Sequence, residues 1–486
     1  MRIAGLDIGT TGCKLTVFDE NGRSLGRAYR NYPASRAVGV HEIDPRAILD
    51  GATAVIREMA ARYPDIAGIG VTSFGETFVL TDESGRPLRP AMLYTDPRGA
   101  EECRELADRL GSRRIAGITG LRPHEMYSLP KLIWIKRHEP DTWRAVRRIY
   151  LIEDYVVRHL TGETQIDYSL ATRTMAFDIR ALSWSDDMFS AADIDPALMS
   201  APVPTGTPAG TVTKKASELT GLRPDCRIVS VSHDQVAACV GAGVFDGGTA
   251  VDGAGTVECL TPVYDSMPDA SVMYDGYFSV VPYVIPGKYA AYAFSYTGGA
   301  LIDWCVKTLA PGRTNEELEA ACPGVGPSGL LVLPHFAGAA TPYMDTGSRG
   351  AVLGLTTGTT VPQIYRACME GVAYEMRVNL EALAGSGIRF SKLRATGGGA
   401  RSKTWMQMKA DILGMPITAL ETADAGTVGS AMLTGRAVGL FRDLDEAAKV
   451  MVRETETYCP GPDRHAAYME VYERYKNVYR AVRPLM

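Results

Sequence analysis

The opening run, RIAGLDIGTTGCKLTVFDENGRSLGRAY, narrows the fold more than any other part of the chain. Ile3 to Asp7 reads as a strand, Leu15 to Phe18 as its partner, and Gly-Thr-Thr-Gly as the turn between them. Asn21-Gly22 predicts a two-residue hairpin into a third strand. Ile48, Ala52, Val55, Ile56 and Met59 recur at helical spacing and predict a helix from Pro45 to Arg62. A buried-strand run, IAGIGVTSF (66–74), follows. Strands, then a helix, then an apolar strand point to α/β architecture.

A second buried strand, CRIVSVSHD (226–234), ends in polar residues where a helix, QVAACVGAG, begins. The stretch GGTAVDGAGTVECLTPVY (247–264) then echoes the opening, with Gly255-Thr256 falling 246 residues after Gly9-Thr10. That offset is about half of the 486 residues, and one hydrophobic core rarely grows past about 250–300 residues. Two related domains are expected, 1–245 and 246–486, parted in the glycine-rich stretch Gly241–Gly248. In the second half, 361–388 reads as a long helix and 392–417 as strand, glycine turn, helix and strand. The small-residue run AGTVGSAMLTGRAVG (425–439) reads as a helix packed closely on a neighbour. Tyr468, Val471, Tyr472, Tyr475 and Val478 mark one amphipathic C-terminal helix.

Composition removes several functional classes. The net charge is −5 and no run of five like charges occurs, so no nucleic-acid surface is expected. Nine cysteines without CxxC spacing read as reduced thiols of a cytoplasmic protein, and seven histidines without HExxH argue against a transition-metal site. The N-terminus lacks the apolar stretch and cleavage pattern of a secretory leader. Residues 320–344 carry no charge over 25 positions, but Pro323, Pro327, Pro334, Pro342 and four glycines exclude a lipid-exposed helix. That segment reads as buried strand and loop, and no membrane partner is expected.

Three glycine-rich turns stand out: Asp7-Ile8-Gly9-Thr10-Thr11-Gly12, Gly253-Ala254-Gly255-Thr256 and Gly397-Gly398-Gly399-Ala400. Glycine lets backbone N–H groups approach phosphate oxygens, and threonine hydroxyls donate beside them. Lys14 adds a mobile positive charge, and Asp7 is a carboxylate able to hold Mg²⁺ through water. Any one such turn is equally a tight hairpin, and GGGAR alone is better read that way. Three together, two of them with hydroxyls, point to nucleotide phosphates. None fits GxxxxGK[ST], and no GxGxxG opens a βαβ unit, which sets aside a P-loop and a dinucleotide oxidoreductase.

The order DIGTT, SHDQ, GAGT and GGGARS, with SAM about 30 residues on, resembles the FGGY carbohydrate kinases. MYSLPKLIWIKRH (126–138) is similar to the family's first signature, built around Lys131 and Trp134. GAVLGLTTGTTVPQIYRACME (350–370) is similar to the second, except that Cys368 replaces a small, β-branched or Met residue. LPHFAGAATPYMDTGSRG (333–350) resembles the family's LP…TPxxDP…RG segment.

The resemblance implies two actin-like, ribonuclease-H-like α/β domains with an active-site cleft between them for ATP and sugar. It makes Asp234 the general base that takes the proton of the attacking hydroxyl; by local pattern alone, Asp234 also reads as an N-cap for a helix starting at Gln235. It gives Mg²⁺ to Asp7, the β- and γ-phosphates to Gly9, Thr10, Thr11 and Lys14, and the γ-phosphate also to Gly255 and Thr256. Gly298 and Gly299, opening a helix, fall near the phosphates, and Gly398, Gly399 and Ala400 face the α-phosphate and adenosine.

The resemblance makes SFGETF (73–78) the counterpart of the family's substrate loop. Xylulose kinases usually show Gln-Met-His there and glycerol kinases an Arg-Glu pair; this chain keeps Glu76 but has Gly75 in the arginine's place. Candidate sugar contacts are Gly75, Glu76, Thr77, Asp96, Arg98 and Gln235, with Asp96 and Arg98 equally readable as a structural ion pair. His233 reads as a packed residue, and Met126 and Tyr127 as pocket lining or core. The expected activity is ATP- and Mg²⁺-dependent phosphorylation of a small sugar, a ketose such as D-xylulose or a related polyol or sugar acid. The alternative is a non-catalytic actin-like nucleotide-binding or sugar-sensing protein, which need not retain Asp234. Base rates for soluble enzymes favour a homodimer.

Overall fold

The computed structural model describes residues 1–322, 326–421 and 424–486. Pro323 of the uncharged segment lies outside the described residues. The chain forms two compact α/β units, each built on a mixed sheet. The first takes Met1–Gly243, Val280–Tyr289 and Ala425–Val452; the second takes Val244–Ser279, Ala290–Asp424 and Arg453–Met486. The chain first crosses between them at Gly243–Val244 and returns twice to the first.

The first unit contains β1 (Arg2–Ile8), β2 (Gly12–Phe18), β3 (Ser24–Asn31), α1 (Pro45–Arg62), β4 (Ile66–Ser73), β5 (Thr207–Thr211), β6 (Arg227–His233) and α2 (Asp234–Gly241). Its sheet runs β5-β6-β4-β1-β2-β3. β4 pairs in parallel with both β1 and β6, and the register sets Ile8 level with Ser73 and Ser73 level with His233. Three strands therefore end at one edge. α1 buries Ile48, Ala52, Val55, Ile56 and Met59, as the spacing predicts, and Asp44 caps it by accepting from the Arg46 N–H.

The turn at Asn21-Gly22 is wider than a two-residue hairpin. Asp19 Oδ1 accepts from the backbone N–H of both Asn21 and Arg23, so a carboxylate organises the loop before β3 starts at Ser24. The small-residue run forms a helix, Ala425–Ala437, pressed onto α2. A Cβ on Gly241 would collide with the Ala425 carbonyl oxygen, and one on Gly429 with that of Ala237.

The second unit contains β7 (Thr249–Ala254), β8 (Glu258–Tyr264), β9 (Ala293–Ser295), α3 (Gly299–Leu309), α4 (Val361–Gly385), β10 (Lys392–Thr396), α5 (Lys403–Leu413), β11 (Ile417–Leu420) and β12 (Glu454–Tyr458). These strands run in the order β9-β8-β7-β10-β11-β12. The β7–β8 hairpin repeats the strand–turn–strand of β1–β2, and β10 pairs in parallel with β7 as β4 does with β1.

Two expectations need revision here. The uncharged segment begins in the end of a helix, Asn315–Ala321, before its strand Leu331–Leu333. The C-terminal amphipathic run breaks at Lys476-Asn477 into two helices, Pro462–Tyr475 and Val478–Val482, which still bury Tyr468, Val471, Tyr472, Tyr475 and Val478. Among the described residues no helix is long and apolar enough to cross a membrane. None of the nine cysteines is joined in a disulfide.

Candidate active site

In the first unit the shared strand edge assembles the site. The register that aligns the ends of β1, β4 and β6 delivers Gly9 from the first, the loop Phe74–Thr77 from the second and Asp234 from the third. Loops that leave the carboxyl ends of neighbouring parallel strands converge, and ligands bind where they do. Gly9 N–H closes the first turn on the Gly12 carbonyl at 2.9 Å. Asp7 and Lys14 are cross-strand partners, and Lys14 Nζ lies 3.1 Å from Asp7 Oδ2.

Asp234 is the first residue of α2, not its cap; His233 occupies the cap position, with no side-chain capping bond. The carboxylate keeps 32% of its side chain open to solvent, while Oδ1 is out of solvent contact and lies 3.3 Å from His233 Nε2. Its pKa is raised to about 7. Burial is the main cause, and the negative charges of Asp7 and Glu76 add to it against the Gln235 N–H and Arg173. The same desolvation, with Arg173, drives the His233 imidazole well below its ordinary range, so the ring is neutral. A carboxyl poised near neutrality beside a neutral imidazole is suited to accept a proton.

The loop Phe74–Thr77 is strained and tightly held. Glu76 adopts a left-handed backbone (φ 62°), and Ser128 Oγ donates to its carbonyl at 2.7 Å. Its carboxylate accepts from Arg173 Nε at 2.6 Å and also from Nη2, in a pair that is almost fully buried. Arg173 spreads over the Tyr127 ring, 5.1 Å from its centroid. Thr77 is fully buried, and its hydroxyl lacks a hydrogen-bond partner within the protein.

Asp96 and Arg98 pair with each other. Asp96 accepts from Arg98 Nε at 2.9 Å, from Nη2 at 2.7 Å and from the His41 N–H at 2.8 Å. Arg98 also bonds Glu42 and lies over Trp134, while Lys131 Nζ donates to the Asp96 carbonyl at 2.8 Å. Burial works against the charged carboxyl of Asp96, but hydrogen bonds from Arg98 and His41 outweigh it and hold the pKa low. This network thus contains both marker residues of the first signature, Lys131 and Trp134. Gln235 is half-buried on the first turn of α2, next to Asp234.

In the second unit one hydrogen-bonded assembly gathers the remaining turns. The N–H groups of Gly298 and Ala300 donate to the Thr256 carbonyl, and that of Gly299 to the Gly255 carbonyl, at 2.8–3.1 Å. The start of α3 is thereby docked on the β7–β8 turn. Gly397 has φ +91°, and a Cβ there would collide with the Ala254 carbonyl oxygen; Gly399 presses on Ala254 and Trp405. Gly398 is exposed and faces open space, whereas Ala400 is buried. Lys409 of α5 fastens the base of the hairpin by bonding Asp252 at 2.9 Å and also Glu258. Burial opposes its charge, but those two acids prevail and raise its pKa.

Sequence reasoning did not select Arg173. It follows a short helix, Tyr168–Thr172, within an unremarkable Thr-Arg-Thr triplet, and only tertiary structure takes it to Glu76, 97 residues away. His233 is near enough to Asp234 to bear on it directly. Tyr94, whose phenol feels both Glu76 and Asp234 after burial, also belongs to this neighbourhood.

Residues 2–241 match the N-terminal domain of the FGGY family of carbohydrate kinases and residues 257–438 its C-terminal domain. The chain is 27% identical to a xylulose kinase of Staphylococcus epidermidis, over 99% of this chain and 97% of that one. It is 31% identical to a glycerol kinase of Carboxydothermus hydrogenoformans, over 91% of each. Its fold matches a gluconate kinase from Lactobacillus acidophilus (TM-score 0.91, 22% identity, 99% and 98% of the two chains). It likewise matches a Plasmodium falciparum glycerol kinase solved with ADP (TM-score 0.87, 22% identity, 99% and 98%).

Proposed function

The chain belongs to the FGGY family of carbohydrate kinases, and from that premise we propose that it moves the γ-phosphoryl group of ATP to a hydroxyl of a small ketose, with Asp234 as the general base. The observation that carries this reading is the Asp234 carboxyl itself: its pKa is raised to about 7, and it stands on the strand edge shared with Gly9 and the Glu76 loop. Asp234 takes the proton as the sugar oxygen attacks phosphorus in line, giving a sugar phosphate and ADP. Phosphoryl transfer needs mainly positioning and charge stabilisation. Gly9, Thr10 and Thr11, with Lys14, are assigned to the β- and γ-phosphates. Gly255, Thr256, Gly298 and Gly299 are assigned to the γ-phosphate region, and Gly398, Gly399 and Ala400 to the α-phosphate and adenosine.

Asp7 offers a single carboxylate, which fits a Mg²⁺ ion whose other ligands are water and nucleotide oxygens. Bound there, the ion would neutralise charge on the phosphates. Lys14, already paired with Asp7, would move onto a phosphate oxygen as the nucleotide arrives.

For the sugar, Glu76, Thr77 and Gln235 are assigned to substrate hydroxyls. Asp96 and Arg98, saturated by one another and by Glu42 and His41, are assigned to supporting that wall. Full-length similarity to xylulose kinases favours D-xylulose. One observation favours a second reading, a glycerol-like polyol: the Glu76–Arg173 pair supplies the acid and guanidinium that glycerol kinases carry as neighbours. The test is ADP release across ketoses, polyols and sugar acids, with Asp234→Asn as control. Turnover of one ketose that disappears in the control supports the reading. Sugar binding without turnover would replace it with a sensor, and undiminished turnover in the control would remove Asp234 from its role.

A further inference from the structure

Away from the residues described so far, the first unit has a cavity of about 860 Å³ between the turn at Asp82–Gly85, the strand Arg148–Leu151, the helix Ile152–Thr161 and the helix Lys214–Thr220. Its lining concentrates positive charge in a chain whose net charge is −5. Arg147, Arg148, Arg158 and Lys215 all face it, and among the described residues none forms an ion pair with an acid. The Arg147 guanidinium donates to the carbonyls of Arg144 and Val146, and that of Arg148 to the carbonyl of Ala197. All four are exposed, and an anion in the hollow would relieve their mutual repulsion.

Two acids also line the cavity, Asp82 and Glu83. Asp82 is already committed, accepting from Arg86 Nε and Nη2, the Arg86 and Ser84 N–H groups and the Ser84 hydroxyl. Glu83 is exposed on the turn. Positive charge therefore predominates on the wall. A second observation is independent of charge. Thr81, 1% exposed, is one of the lining residues, and its buried hydroxyl has no hydrogen-bond partner within the protein. Thr81 is the cross-strand partner of Arg148, so hydroxyl and guanidinium come from adjacent positions on one ladder. The Tyr150 ring, with Leu49, Leu160 and Leu219, supplies apolar wall.

We propose that this cavity is a second ligand site, for a phosphorylated small molecule whose phosphate is held by Arg148, Arg158 and Lys215 with Thr81, and whose carbon skeleton rests on the aliphatic wall. Arginine forks match phosphate oxygens two at a time, and the volume falls in the range of small-molecule pockets.

The probe is inorganic pyrophosphate, titrated calorimetrically into the full-length protein saturated with a non-hydrolysable ATP analogue, so that the glycine turns are already occupied. One pyrophosphate per chain is expected, with affinity falling as salt rises. The Arg148→Gln, Arg158→Gln, Lys215→Gln triple variant should bind at least about tenfold more weakly. Lys215→Gln alone, at an exposed helix position, should also weaken binding and guards against a folding defect in the triple variant. No binding to the unaltered protein, or equal binding by it and both variants, would overturn the proposal.

Discussion

Arg173 occupies the space that a side chain on residue 75 would need: a Cβ built on Gly75 would lie 2.9 Å from Arg173 Cγ and 3.1 Å from His233 Cδ2. The loop therefore keeps its acid, Glu76, and receives its guanidinium from 97 residues away. Substituting Arg173 by Met leaves Glu76 buried without its partner, which typically costs about 3–5 kcal/mol of stability. It also removes a positive charge that holds the Asp234 pKa down. The acid limb of the pH–rate profile should then move to higher pH, with sugar KM rising and ATP KM unchanged. A profile that stays in place would separate Arg173 from the base.

Asp234→Asn should lower kcat by about 10²–10⁴-fold, the usual worth of a general base. Sugar and nucleotide affinity, read by calorimetry, should persist, because the amide preserves shape and half of the hydrogen-bonding capacity.

The pH dependence has a definite sign. The Asp234 carboxyl binds its proton up to about pH 7 in the folded protein, against 3.8 for an ordinary aspartate. Activity that needs the free carboxylate should rise through pH 7 and level off above it. For stability the sense is reversed. The folded state binds the proton more tightly than the unfolded state between these two values, so this group's contribution falls as pH rises through that window. Asp234→Asn should therefore melt at a higher temperature than the parent at pH 8, and the difference should vanish near pH 4.

Lys409→Met strands two buried carboxylates, Asp252 and Glu258, on the strands flanking the Gly255-Thr256 turn. A loss of about 3–5 kcal/mol in denaturant unfolding is expected. At temperatures where the variant remains folded, ATP KM should rise more than sugar KM. An unchanged ATP KM would confine Lys409 to stability.

Gly241→Ala or Gly429→Ala drives a methyl into a backbone carbonyl at the crossing of α2 and the helix Ala425–Ala437. Backbone cannot rotate aside as a side chain can, so destabilisation of at least about 1–3 kcal/mol is expected, checked by thermal melting. Gly398→Ala, whose Cβ would meet nothing within 4 Å, should leave the melting temperature unchanged.

What the sequence determined alone was whatever depends on near neighbours. Alternation and glycine turns marked β1–β2 and β7–β8, helical spacing marked α1, and the small residues of 425–439 marked a close helix contact. The order of short motifs was enough to indicate the family, because each motif is a local backbone shape. Tertiary structure decided everything that depends on register and long-range approach. Asp19 widened a hairpin that Asn21-Gly22 alone would have closed tightly. Asp234 proved to begin its helix instead of capping it. Arg173 found Glu76, and Arg147, Arg148, Arg158 and Lys215 met around one hollow. No local pattern marks such residues, since only the folded chain brings them within reach of one another.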